Sequence, residues 1–114
     1  MHELSVSSAI VDTAVKHAAG RRVTLVTVRI GHLRQVVPDS LAFYFDLVTR
    51  DTVCEGARLE QVLVPARLRC PDCAREWDPE DALFRCLCGG AGAVIAGDEL
   101  EVESIEVEEA ACTA

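Results

Sequence analysis

The chain has 114 residues, enough for one apolar core with a small appendage and too few for two domains that each bury their own core. Half of the residues are hydrophobic and 26% are charged, the balance of a folded globular protein, and no apolar run approaches the roughly 20 residues of a membrane span. A formal charge of −8 argues against a nucleic-acid partner, because phosphate binding needs clustered Lys and Arg; it suits a cation or a basic protein better.

The first periodic segment runs from Leu4 to Ala19. Leu4, Val11, Val15 and Ala18 form one row, with Ile10 and Ala14 beside it, which predicts an amphipathic helix. Gly20 stands at a helix stop, and Val23 to Ile30, rich in β-branched residues and closed by Gly31, predicts a strand on which the helix packs. Pro38-Asp39-Ser40 predicts a helix start with a capping side chain beside the proline, and Leu41, Phe45 and Val48 mark one face up to about Thr49. Phe43 and Tyr44 lie off that stripe, so this helix is expected to be covered on more than one side and the aromatics to be mostly core.

Arg58 to Val64, stopped by Pro65, reads as a second strand, and Glu99 to Glu108 as a third. In the third, the parity of the apolar residues shifts between Val102 and Ile105, which predicts a bulge. The acidic residues Glu99, Glu101, Glu103, Glu106, Glu108 and Glu109 read as a solvated strand face and tail. The stretch from Arg67 to about Gly97 sits between two strands and reads as an insertion that leaves one sheet edge region and returns to it.

Met1-His2-Glu3 opens the chain with no basic region leading into an apolar one, so the expected location is the cytoplasm, a reducing compartment where clustered thiols serve metals or catalysis and not disulfides. Cys70-Pro71-Asp72-Cys73 is followed, after twelve residues, by Cys86-Leu87-Cys88-Gly89-Gly90. Two close thiol pairs joined by a hairpin-sized segment suit tetrahedral Zn(II), and a four-thiolate shell leaves no open position for water, so the site should be structural. The insertion holds little apolar material beyond Trp77, Leu83 and Phe84, and structural zinc, with an apparent binding free energy of about 10–16 kcal/mol, can take the place of a core. The second pair has one residue between its thiols where a knuckle normally has two; positive φ at Gly89 and Gly90 could relieve the resulting strain. Should Cys88 fail as a ligand, Cys54 and Cys112 are the nearest substitutes, although a buried apolar role suits the first and a mobile tail thiol the second. A rubredoxin-like iron site is the other metal the spacing allows.

His2 taken alone is a solvated terminal residue. A free α-amine, an imidazole at position two and deprotonated amides can nevertheless wrap a d-block cation in the tetragonal geometry that Ni(II) and Cu(II) prefer, with Glu3 adding a carboxylate. The chain here resembles the HypA/HybF family, the nickel metallochaperones of NiFe hydrogenase maturation. The resemblance rests on Met1-His2-Glu3, Ile30-Gly31, Pro38-Asp39-Ser40-Leu41 to Phe45, Glu55-Gly56-Ala57, the cysteine pairs, and Leu100-Glu101-Val102-Glu103-Ser104-Ile105-Glu106-Val107. It implies that His2 and adjacent main-chain nitrogens hold nickel as cargo, that Glu3 tunes or completes that site, and that Cys70, Cys73, Cys86 and Cys88 hold zinc.

The resemblance also implies an α+β fold: a three-stranded sheet with two helices, formed by residues 1–65 and 98–114 and binding nickel, plus an inserted zinc-ribbon-like module over residues 66–97. A HypB-like maturation GTPase and the hydrogenase large subunit are the partners it implies, with no turnover by the chain itself. Against the family pattern, the CxC pair and Cys54 are departures. The competing reading is a zinc-ribbon protein-interaction adaptor with an incidental N-terminal histidine. An enzyme is not expected, since His17 on the first helix and His32 in a turn have no neighbouring acid or nucleophile.

Overall fold

The computed structural model describes residues 3–79 and 85–108, so His2, Leu83, Phe84, Glu109 and Cys112 lie outside the described residues. The elements are α1 (Glu3–Ala18), β1 (Val23–Gly31), a 3-10 turn (His32–Arg34), α2 (Pro38–Val48), β2 (Arg58–Val64), β3 (Arg67–Arg69), β4 (Glu76–Trp77), β5 (Ala93–Ala96) and β6 (Leu100–Val107). They form an α+β body with the sheet order β2-β1-β6 and a second, smaller sheet of order β4-β3-β5. No helix among the described residues is long and apolar enough to cross a membrane.

In the larger sheet β1 is central, parallel to β2 and antiparallel to β6. A parallel neighbour cannot be reached by a hairpin, and α2 supplies the required crossover. Both helices lie on one face, where Val26, Val28 and Ile30 of β1 meet Val6, Ile10, Val11 and Ala14 of α1, Leu41 and Phe45 of α2, and Cys54. Leu41 and Phe45 are fully buried, and each side chain contributes about 1.5–3 kcal/mol of apolar transfer. The expected bulge is present: Thr27 pairs with Ser104 and Val28 with Val102, which leaves Glu103 as the extra residue that reverses the parity of β6.

Four details depart from the sequence reading. The buried face of α1 is Val6, Ser7, Ile10, Val11, Ala14 and Ala18, while Leu4 and Val15 lie at its border, 46% and 37% exposed. Ser7 can be buried because its hydroxyl donates to the Leu41 carbonyl oxygen at 3.3 Å, tying α1 to α2. At α2 the N-cap is Val37, with no side-chain cap bond, and Pro38 alone sets the helix start. Phe43 is 61% exposed and only stacks edge-on to Tyr44, with ring centroids 5.4 Å apart, so α2 is covered on one side and its aromatics are not all core.

The fourth concerns the insertion. It leaves β2 at one edge of the sheet and returns as β6 at the opposite edge, with β1 between them. Both ends meet the same end of the sheet, since Val64 pairs with Gly31 and Leu100 with Ile30. Backbone closes this junction: Gly31 N–H donates to Glu99 O at 2.7 Å and Leu33 N–H to Gly97 O at 2.8 Å, while Arg34 Nε donates to Asp98 O at 2.7 Å. A Cβ at Gly31 would overlap the Gly97 carbonyl, and one at Gly97, whose φ is +101°, would overlap Ala66. The two sheets therefore meet where three small residues let main chains touch.

Candidate metal centre

The smaller sheet exists to present two turns. β3 runs directly into the first, Cys70 to Ala74, in which Cys70 N–H donates to Arg75 O at 2.8 Å and Ala74 N–H to Cys70 O at 2.9 Å. In the second, Cys86 N–H donates to Gly90 O at 2.8 Å and Gly89 N–H to Cys86 O at 2.9 Å. The same two bonds close both turns, with one residue fewer in the second. In both, the residue after the last cysteine has positive φ, Ala74 at +62° and Gly89 at +94°. The CxC pair is thus a shortened knuckle of the same design.

The glycines divide the work differently from the sequence expectation. Gly89 supplies the left-handed backbone, whereas Gly90 is needed for space: a Cβ there would lie 2.7 Å from Asp72 Oδ2 and 3.0 Å from Cys70 Sγ.

The two turns bring the four predicted sulfurs together. The Sγ atoms of Cys70, Cys73, Cys86 and Cys88 all lie within 4.8 Å of one another, and this is the only cluster of three or more potential ligand side chains among the described residues. Cys70 Sγ is 3.5 Å from Cys88 Sγ, and Cys73 Sγ is 3.4 Å from Cys86 Sγ. With zinc–sulfur bonds of about 2.3 Å, tetrahedral geometry places sulfurs about 3.8 Å apart, so the set fits zinc with small adjustments. Cys88 Sγ joins the cluster despite the short spacing.

Cys70 and Cys86 are buried, Cys73 and Cys88 exposed. Backbone N–H groups aim at the sulfurs. The amide of Cys88, aided by the neighbouring thiols, lowers the Cys86 thiol to about 7. The Gly90 amide acts in the same direction on Cys88, yet hydrogen bonding to Cys70 and Cys86 outweighs it and the thiol is pushed up to about 12. At Cys73 the Arg75 amide is likewise outweighed, by the contact with Cys86 and by burial, and the thiol is raised. Cys73, Cys86 and Cys88 are thus shifted in opposite directions, as crowded thiols are until a cation compensates them.

The other residues singled out by sequence are elsewhere. Cys54 is fully buried in the body core, away from the cluster. Glu3 opens α1, and the exposed His17 and His32 belong to no ligand group among the described residues.

The family model described as "Hydrogenase/urease nickel incorporation, metallochaperone, hypA" matches residues 1–107. The hydrogenase maturation factor HypA of Geobacter metallireducens is 44% identical over 110 residues, covering 95% of this chain and all of that protein. The HypA of Caldanaerobacter subterraneus is also 44% identical, over 114 residues and with the same coverage. Among solved structures, the Ni metallochaperone HypA from Helicobacter pylori superposes with a TM-score of 0.69 at 26% identity, covering 94% of this chain and 97% of that one. A match through the body, the junction and both knuckles leaves one assignment: the chain belongs to the HypA family of hydrogenase and urease nickel-incorporation metallochaperones.

Proposed function

We propose that this protein carries Ni(II) at its N-terminus and delivers it for NiFe hydrogenase maturation, while the four-cysteine cluster holds a structural zinc. The observation that carries the reading is the extent of the family match, residues 1–107, which takes in His2 and Glu3 as well as the whole cysteine cluster. His2 and neighbouring main-chain nitrogens bind the nickel and Glu3 lends a carboxylate; these donors suit tetragonal Ni(II) and leave zinc to the thiolates. Residues 1–65 and 98–114 act as the nickel-binding unit and residues 66–97 as the zinc-binding one.

In this reading Cys70, Cys73, Cys86 and Cys88 hold zinc in a closed shell, so the metal orders the module and catalyses nothing. The protein performs no turnover and works in the cytoplasm, where the thiols stay reduced. A maturation GTPase and the hydrogenase large subunit are its exchange partners.

The test is metal analysis of the wild type beside His2→Ala after exposure to nickel and removal of unbound metal. The carrier reading expects about one zinc in both proteins and about one nickel in the wild type alone. Zinc in both with nickel in neither would leave a zinc-ribbon adaptor.

A further inference from the structure

β6 is an edge strand: it pairs with β1 on one side and with no other strand among the described residues on the other. An eight-residue edge with unpaired backbone groups is a template for another strand unless something blocks it. Here the helix above leaves room. α1 overhangs β6, and between them run two adjoining depressions of about 310 and 200 Å³. The first is lined by Val6, Ala9, Ile10 and Thr13 with Leu100 and Val102; the second shares Thr13 and Val102 and continues past Ile105 to His17. The floor and helix wall of the first depression are mostly apolar, with Ala9 leaving the space, and Glu101, Glu103 and Ser104 stand at the rim, so a strand laid beside β6 would point alternate side chains into this trough beneath the helix.

The charge pattern says which strand. Glu101, Glu103, Glu106 and Glu108 are all exposed along this edge, and Arg29, 3.1 Å from Glu101, is the only cation in ion-pair contact with any of them among the described residues. An acidic edge repels its own copy, which removes self-pairing as the default, and it attracts an extended segment that alternates basic with apolar residues. The bulge at Glu103 and the row of glutamates guard the edge against a like strand, but Leu100–Val107 holds no proline, so the edge stays open to a strand of opposite charge.

We infer that the β6 edge and the α1–β6 groove form a docking site for an extended, basic and apolar segment of a partner protein, bound by strand addition. The groove begins at the first turns of α1, so a docked partner lies alongside the end of the body that carries Glu3. Its use in delivery rests on the carrier reading; the binding itself does not.

The test uses zinc-loaded, nickel-free protein and a capped heptapeptide of alternating lysine and valine. A second peptide of the same sequence is N-methylated on alternate backbone nitrogens so that it cannot complete a ladder. Amide NMR shifts and hydrogen exchange are read along the chain. The proposal expects new protection confined to residues 100–107. It also expects roughly tenfold weaker binding by the N-methylated peptide, by the double variant Glu103→Lys with Glu106→Lys, and by the trough-filling Ala9→Leu, but unchanged binding by Glu60→Lys on the opposite edge. Equal binding of both peptides, protection spread equally over β2, or β6 protection by self-association without peptide would each overturn it. Nickel is absent throughout, so failure here leaves the His2 test untouched, and failure of that test leaves this one standing.

Discussion

Cys54 illustrates how a thiol's surroundings decide its use. It is fully buried among apolar side chains of the body, where burial pushes its thiol above the ordinary 9.0, opposed in part by the Thr52 hydroxyl. A thiol with a raised folded-state pKa stabilises the fold fully below pH about 9 and loses that contribution as pH climbs through the folded value. Urea midpoints at pH 7.5 and pH 10 should therefore fall further for the wild type than for Cys54→Ala, while Cys54→Ser should cost about 1–3 kcal/mol at both by burying a hydroxyl. Equal pH sensitivity of wild type and Cys54→Ala would show that this thiol titrates alike in the folded and unfolded states and that burial does not raise its pKa. Ala74 is the opposite case, an exposed residue held at φ +62° by the first knuckle. Ala74→Gly should stabilise the zinc-loaded module by about 1 kcal/mol, measured as slower exchange of amides in β3 to β5. Burial of Cys54 was favoured by its residue type alone, since free cysteine is among the most buried residues and its neighbours Thr52, Val53, Glu55 and Gly56 form no apolar run; the strain at Ala74 left no trace in the sequence, since alanine carries no mark of left-handed backbone.

Among the elements, the strands and helices of the body follow from local pattern, and even the bulge at Glu103 was written in the parity of Val102 and Ile105. What the pattern misjudged was coverage. Phe43 lies on an outward face of α2 because no described element packs above that helix, and a sequence records a side chain's hydrophobicity but not whether a layer exists to receive it. The second knuckle was misjudged in the other direction. The CxC spacing looked strained, yet dropping one residue keeps both closing hydrogen bonds, with Gly89 turning the chain and Gly90 making room for Cys70. The junction was the least legible element, because Gly31, Ala66 and Gly97 are far apart in sequence and meet only through main-chain contact. Gly31→Ala has no strained φ to blame and tests that contact alone: displacing the Gly97 segment should cost about 1–3 kcal/mol in the urea midpoint. An unchanged midpoint would mean that the loop yields freely.

At the scale of the whole molecule, two sheets meet at one tight junction and are stabilised by different means. The body has a continuous apolar core, whereas among the described residues of the module few side chains are buried, Ala66, Leu68 and Pro79 beside the thiols Cys70 and Cys86. Removing zinc with a chelator should therefore abolish amide protection in β3, β4 and β5 while β1, β2 and β6 keep theirs. Simultaneous loss in both sheets would mean that the junction couples them into one folding unit. Nickel should respond to a different variable. An imidazole binds metal only when neutral, and with an unperturbed pKa of about 6.5 it competes with protons just below neutrality, whereas a terminal amine and amide nitrogens make the competition steeper. Nickel affinity measured by titration should consequently fall between pH 7.5 and pH 6 in the wild type. In His2→Ala the weak residual binding should change less over the same interval, since one of the groups that titrate there is gone. Equal wild-type affinity at the two pH values would remove the imidazole from the nickel site and shift the binding to carboxylates such as Glu3, which stay ionised throughout that range.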